Sequence, residues 1–208
     1  MIPQNKNFTW LLAGFLIFFA FSALARHTLS RSFYSLNFFT ADPSERYFEI
    51  KELMQKGLWK QANTQTVEVA LSVSGRSDEG WFDDNAVKRF PCSDLYYIDA
   101  IFRQHSDGKF GFSAQKKVYE KIVAKNPDLN EQEIYIKFAT AVGWIKNDKF
   151  VSYPDLFFDI DKAPKGHLPV KVPTDIIRPS FKSRHGKPDS PRNFSRLMER
   201  VNTCSPAS

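Results

Sequence analysis

The 208-residue sequence predicts an all-α domain, compact and helical, set behind one N-terminal transmembrane helix and followed by a disordered basic tail. Three observations carry this. Between Tyr47 and Val142 apolar residues return every three or four positions, with helix-start and helix-stop residues between the runs. From Phe8 to Ala25 no residue is charged. From Ala163 onward seven prolines recur among lysine, arginine and serine, and such a segment has little apolar surface to bury. The divisions expected are a membrane segment with its linker over 1–41, a helical domain over 42–172, and a basic proline-rich tail over 173–208.

At the N-terminus, about 18 uncharged residues rising roughly 1.5 Å each give a helix of about 27 Å, which just reaches across a bilayer. A cleaved signal peptide competes with a retained anchor, because Ala23-Leu24-Ala25 before Arg26 has the small-x-small form that signal peptidase cuts. Lys6 stands alone upstream while Arg26 and Arg31 follow directly. The positive-inside rule then favours an anchor with the domain on the cytoplasmic or stromal side. Phe33, Tyr34, Phe38 and Phe39 suit a segment lying at the membrane interface, or packing on the domain.

The folded region opens with Asp42-Pro43-Ser44-Glu45, a capping carboxylate followed by proline at the first helical position. A helix should run from there to Gly57 with Tyr47, Ile50 and Met54 inward. The stripe resumes as Leu58, Ala62, Thr66, Val69 and Val73 in a second, antiparallel helix ended by Ser74-Gly75. After a polar connection Pro91 opens a third helix with Leu95, Ile98, Ile101 and Phe102 on one side, Asp94 and Asp99 favouring its dipole, and Gly108 and Gly111 breaking it. Ser113 to Lys125 forms the next, and Asn130 with Glu133 caps another through Phe138 and Val142. Phe150 to Ile160 has some strand character, interrupted by Pro154.

The net charge of +6 would suit a nucleic-acid binder if it lay on the folded domain. Instead, eight basic residues against three acids follow Val170, and three bases against one acid precede Ser44, so the middle of the chain is near neutral. Nucleic-acid recognition by the core is therefore not expected. The basic tail suits anionic lipid, an acidic partner face, or a solvated linker. Cys92 and Cys204 have no CxxC partner and no histidine at ligand spacing, so neither a disulfide framework nor a metal site is expected, and Cys92 reads as a buried thiol. Ser113, His105 and Asp107 do not make a credible triad, since no nucleophile elbow surrounds the serine. No enzymatic activity is expected.

Four segments remain: Phe90-Pro-Cys-Ser-Asp-Leu-Tyr-Tyr-Ile-Asp99, Ser106-Asp-Gly-Lys-Phe-Gly-Phe-Ser-Ala-Gln115, Val142-Gly-Trp144 and Ala163-Pro-Lys-Gly-His-Leu-Pro169. In this order, and with Leu58-Trp59-Lys60-Gln61-Ala62, they resemble the genomes-uncoupled (four) family of tetrapyrrole-binding regulators of magnesium chelatase over roughly Pro43 to Val170. The resemblance implies an all-α tetrapyrrole-binding domain of cupped-hand type. It also implies protoporphyrin IX or magnesium protoporphyrin IX as bound ligand, and as partner the porphyrin-binding subunit of magnesium chelatase or another photosynthetic membrane protein. A thylakoid, plastid or cyanobacterial membrane and a role in chlorophyll biosynthesis go with it. Ile98-Asp99-Ala100-Ile101-Phe102 and Phe112-Ser113-Ala114-Gln115 depart mildly in volume from the family's usual residues.

A porphyrin is a flat apolar plate with two propionates at one edge, so its receptor needs an aromatic-lined groove and cations at the rim. Phe102, Phe110, Phe112, Trp144, Phe157 and Phe158 are candidates for the lining, and Arg103, Lys109, Lys165 and His167 for the rim. Phe102 and Phe112 also fit a plain core, and His167 in its Gly-His-Leu-Pro turn fits a backbone hydrogen bond better than metal ligation. Burying roughly 300 Å² of macrocycle at about 25 cal/mol per Å² contributes on the order of 7 kcal/mol against association costs of about 4 to 15, so affinity should be near micromolar. The alternative is a pigment-free scaffold that keeps the fold, and its distinguishing mark would be a groove filled by the protein's own side chains.

Overall fold

The computed structural model describes residues 42–171 and 191–204. The membrane segment expected over Phe8 to Ala25 lies outside them, and among the described residues no helix is long and apolar enough to cross a bilayer. Eight α-helices and one two-stranded ribbon make up the described chain.

The first helix kinks where a straight one was expected: α1 (Pro43–Arg46) gives way at Tyr47 to α2 (Phe48–Gln55). The backbone ladder persists through the kink, with Tyr47 N–H donating to the Pro43 carbonyl and Lys51 N–H to that of Tyr47. Tyr47, Ile50 and Met54 are buried on one stripe, and α3 (Trp59–Val73) packs against α2. Here Trp59, not the exposed Leu58, faces inward. The polar connection contains a short helix of its own, α4 (Asp84–Arg89), because the Asp83 carboxylate accepts the Ala86 N–H at 2.7 Å and caps it.

Helix α5 (Cys92–His105) starts behind Pro91 and buries Leu95, Ile98, Ile101 and Phe102 as its spacing demands. Asp94 and Asp99 do more than complement its dipole. The Asp94 carboxylate is buried against Arg46 and Tyr47. The Asp99 carboxylate instead accepts the Ser113 N–H at 2.7 Å, capping the start of α6 (Phe112–Lys125). Helix α7 (Glu131–Ala141) carries the expected capping box, Asn130 and Glu133 exchanging side-chain to backbone bonds. A tight ribbon, β1 (Ile145–Lys146) with β2 (Lys149–Phe150), follows, and a 3-10 turn at Tyr153–Asp155 takes the place of further strand.

Of the tail expected to be disordered, residues 173–190 and 205–208 lie outside the described residues, and the described part, 191–204, departs from expectation. Pro191–Cys204 is a 14-residue helix, α8, not a disordered tail. It packs across α4, α5, α6 and α7 and buries Phe194, Met198 and Val201. Those residues and Leu197 stand at i, i+3, i+4 and i+7, one face of a helix, and that face has the domain to cover it. Nor are its arginines all solvated: Arg196 pairs with Asp84, and Arg200 donates twice to the Phe90 carbonyl at 3.0 and 2.8 Å. The last residue of α8, Cys204, is joined to Cys92 at the first turn of α5 by a disulfide that spans 112 positions. The reading of Cys92 as a buried thiol outside any disulfide is corrected here, since it is half-buried and bonded to Cys204. Helix packing brings together two cysteines that no local spacing related.

Candidate functional site

The described residues line a partly open apolar cavity of about 230 Å³ between α3, α5, α6, α7 and α8. Its aromatic walls are Trp81, Phe82, Phe90, Phe112, Tyr135, Trp144 and Phe194. Aliphatic side chains from α3 and α5 form the floor, among them Val67, Leu95 and Ile98, and Lys171 stands at the margin.

Each wall is held by the local chemistry of its segment. The Arg76 guanidinium bridges Glu79 and Asp83, donates to the Trp81 carbonyl at 3.2 Å and lies 4.8 Å from the centroid of the Trp81 ring. This folds the connection between α3 and α4 so that Trp81 and Phe82 turn to the cavity. On the opposite side, the Trp144 indole N–H donates to the His167 carbonyl at 2.9 Å. Two buried amides fix the segment Gly166 to Val170: Gln115 donates to the Gly166 and Pro169 carbonyls, and Asn63 both donates to and accepts from the Val170 backbone. That segment carries Pro169 and Val170 into the lining.

Of the ten residues expected at a ligand site, two line the cavity, Phe112 and Trp144. Phe102 and Phe110 are wholly buried, and both rings pack on Trp59 with centroids 6.5 and 5.3 Å away, so they are core. Phe157 and Phe158 sit on a separate edge. Phe158 packs on Tyr153 under the Lys60 ammonium, and Phe157, 39% exposed, lies 6.1 Å from the His167 ring. Arg103 and Lys165 are exposed and line no part of the cavity. The Lys109 ammonium clasps the Ile160 and Asp161 carbonyls and pins the loop before Ala163, away from the cavity lining. His167 is completely buried, its Nδ1 2.6 Å from the Val142 carbonyl oxygen. Burial pushes its imidazole below the ordinary range, with the Val142 bond offsetting this in part. A neutral ring with Nδ1–H donating to that carbonyl follows, as the backbone-bonded reading expected. Among the described residues no group of histidine, cysteine and carboxylate side chains is placed to hold a metal ion.

The sequence reading missed Trp81, Phe82, Phe90, Tyr135 and Phe194. Tyr135 was signalled by its place beside Ile134 and Phe138 on the inner face of α7. Phe194 was signalled by the helical stripe of α8.

Residues 40–179 match the GUN4-like family. The chain belongs to that family. Its similarity to solved GUN4 structures is one of fold: the ligand-free structure of Arabidopsis thaliana GUN4 aligns with a TM-score of 0.52 at 22% identity, over 74% of this chain and 92% of that one. GUN4 from Chlamydomonas reinhardtii aligns with the same score at 20% identity, over 74% of this chain and 83% of that one. Among curated relatives, a Ycf53-like protein of Synechocystis is 29% identical over 123 residues, covering 56% of this chain and 49% of its own length. The chloroplastic tetrapyrrole-binding protein of Arabidopsis thaliana is 28% identical over 123 residues, 54% of this chain and 43% of its own. The chain thus spans about half the length of the curated relatives it matches.

Proposed function

We propose that this GUN4-like chain is a non-catalytic tetrapyrrole-binding accessory protein, taking protoporphyrin IX or magnesium protoporphyrin IX between the aromatic walls of the cavity. It would regulate magnesium chelatase, and through it chlorophyll biosynthesis, from a membrane anchor with the domain on the cytoplasmic or stromal side. The observation that carries the reading is the lining itself. Trp81, Phe82, Phe112, Tyr135 and Trp144 converge from four segments on one apolar space, with Lys171 at its margin. Flat rings offer a macrocycle large contact area at little entropic cost, and a lysine suits a propionate. This chemistry fits a tetrapyrrole. With α8 in place the space is small, since about 230 Å³ is below the roughly 300 to 1,000 Å³ of pockets that take drug-sized ligands.

That second fact supports another reading, a scaffold that keeps the fold and fills its groove with its own side chains. Phe194 lies 4.3 Å from the ring centroid of Phe138 and 5.5 Å from that of Tyr135, which makes it such a filling. Titrating the full chain with protoporphyrin IX and its magnesium form, followed by the Soret band and tryptophan quenching, separates the two. The carrier predicts saturable binding at about micromolar Kd, weakened by Trp144→Ala. A folded chain that binds neither ligand under oxidising or reducing conditions is the scaffold.

A further inference from the structure

The helix that makes the cavity too small is also the one held by the disulfide. We propose that α8 is a built-in competitor for the ligand groove, latched by Cys92–Cys204, and that reduction of this disulfide opens the groove to a tetrapyrrole. The proposal rests on the tetrapyrrole reading above.

Several bonds that hold α8 end on the groove or its frame. Phe194 and Leu197 face the cavity. Asn193 donates to the Phe82 carbonyl at 3.3 Å and Arg200 to that of Phe90, and both acceptor residues line the same space. Arg196 reaches Asp84 on the short helix between them, Ser195 reaches Glu131, and Lys116 of α6 reaches Asn202. These contacts and a bound macrocycle would use the same walls, so the two occupants exclude each other.

The covalent bond decides which occupant has the advantage. A 14-residue helix is marginal alone in water, so α8 depends on the groove and on the disulfide to stay folded and in place. The disulfide fixes its far end at α5, while nineteen residues, 172–190, join its near end to Lys171. A chain of that length reaches at most about 65 Å, enough for α8 to clear the groove once its far end is released. Both cysteines are half-buried rather than sealed, which leaves the bond open to a dithiol. A thiolate of the dithiol attacks one Sγ and its second thiol closes on the first. Two electrons and two protons pass to the protein, leaving two cysteine thiols and a cyclic disulfide. In reducing compartments the disulfides that form are usually transient and catalytic or redox-sensing, whereas in oxidising ones they persist. The latch would open only in the first setting.

A ligand whose competent state is a minor fraction binds more weakly by that fraction. The full chain should therefore bind protoporphyrin IX on the order of tenfold or more tightly after dithiothreitol than in its oxidised form, and Cys204→Ser should bind like the reduced chain without dithiothreitol. Hydrogen exchange of the backbone amides over 191–204 should rise when ligand binds the reduced protein. Equal affinity in both redox states, or tighter binding with α8 amides still protected, overturns the latch while leaving the carrier reading intact. Binding in neither state overturns both.

Discussion

The buried carboxylate of Asp94 accepts three hydrogen bonds from the guanidinium of Arg46, at 2.9 to 3.2 Å, across 48 residues of sequence. The Tyr47 hydroxyl adds a fourth at 3.2 Å, and its phenol is driven far above the ordinary range by burial and then by the neighbouring Asp94 charge. The side chains of Arg46 and Asp94 are 10% and 2% exposed, so removing one partner strands the other away from water. Arg46→Ala should cost about 3 to 5 kcal/mol, measured as a lowered urea midpoint. The double variant Arg46→Met, Asp94→Leu should recover much of that loss, because it removes the stranded charge.

Gly111 sits at φ +106°, where a Cβ would lie 2.6 Å from the Asp99 carboxylate oxygen and 3.2 Å from the Asp99 carbonyl. Gly111→Ala therefore faces both a left-handed backbone and a collision with the group that caps α6. We expect a loss of at least about 1 to 3 kcal/mol, exceeding the roughly 1 kcal/mol expected for Asp99→Ala, which removes the cap alone. Thermal denaturation of the two variants in parallel tests the order.

Asn63 is wholly buried and matches both its donor and its acceptor to the backbone of Val170, at 2.8 Å each. Asn63→Asp would turn a carboxylate oxygen toward the Val170 carbonyl and leave that acceptor unpaired. A cost of about 1 to 3 kcal/mol is expected, along with faster hydrogen exchange at the Val170 amide. Because Val170 lines the cavity, ligand affinity should weaken in the same variant even where the domain stays folded.

Burial holds the His167 imidazole below its ordinary range in the folded protein, while in the unfolded chain it titrates near 6.5. Between the two values the unfolded state binds more protons, so the contribution of neutral His167 is present above about pH 6.5 and is lost as pH falls beneath it. His105, lowered by burial and by Lys51, acts in the same direction. Urea midpoints followed from about pH 7.5 to 5.5 should fall for the wild-type chain and fall less steeply for His167→Gln. Identical slopes would remove His167 from this account.

Most helices were legible because their ends announce themselves. Asn130 with Glu133, Pro91 and Ser74-Gly75 mark boundaries by backbone chemistry that acts within a few residues. The stripe of α8 was legible in the same way, but prolines and bases spread over 173–208 outweighed four apolar residues when the tail was read by composition. The disulfide could not be read at all, since only the packed helices bring positions 112 apart in sequence into bonding distance. The site was half visible for a related reason. An aromatic residue on an inner face is certain to be covered, yet whether by core, as Phe102 is, or by a cavity wall, as Phe112 is, depends on neighbours from distant segments.

The groove and its plug also differ in when they are made. Apart from α8, every wall comes from residues 66 to 171, which are synthesised before Pro191 is joined to the chain. At about 5 to 20 residues per second, translating residues 172 to 204 takes roughly 2 to 7 seconds, and for that interval Cys92 has no partner to bond. A flat apolar ligand present at synthesis meets the nascent domain before the closing helix does. On the proposed reading, order of arrival as well as affinity would set the fate of each molecule, and a ligand already seated would keep the newborn helix off the groove.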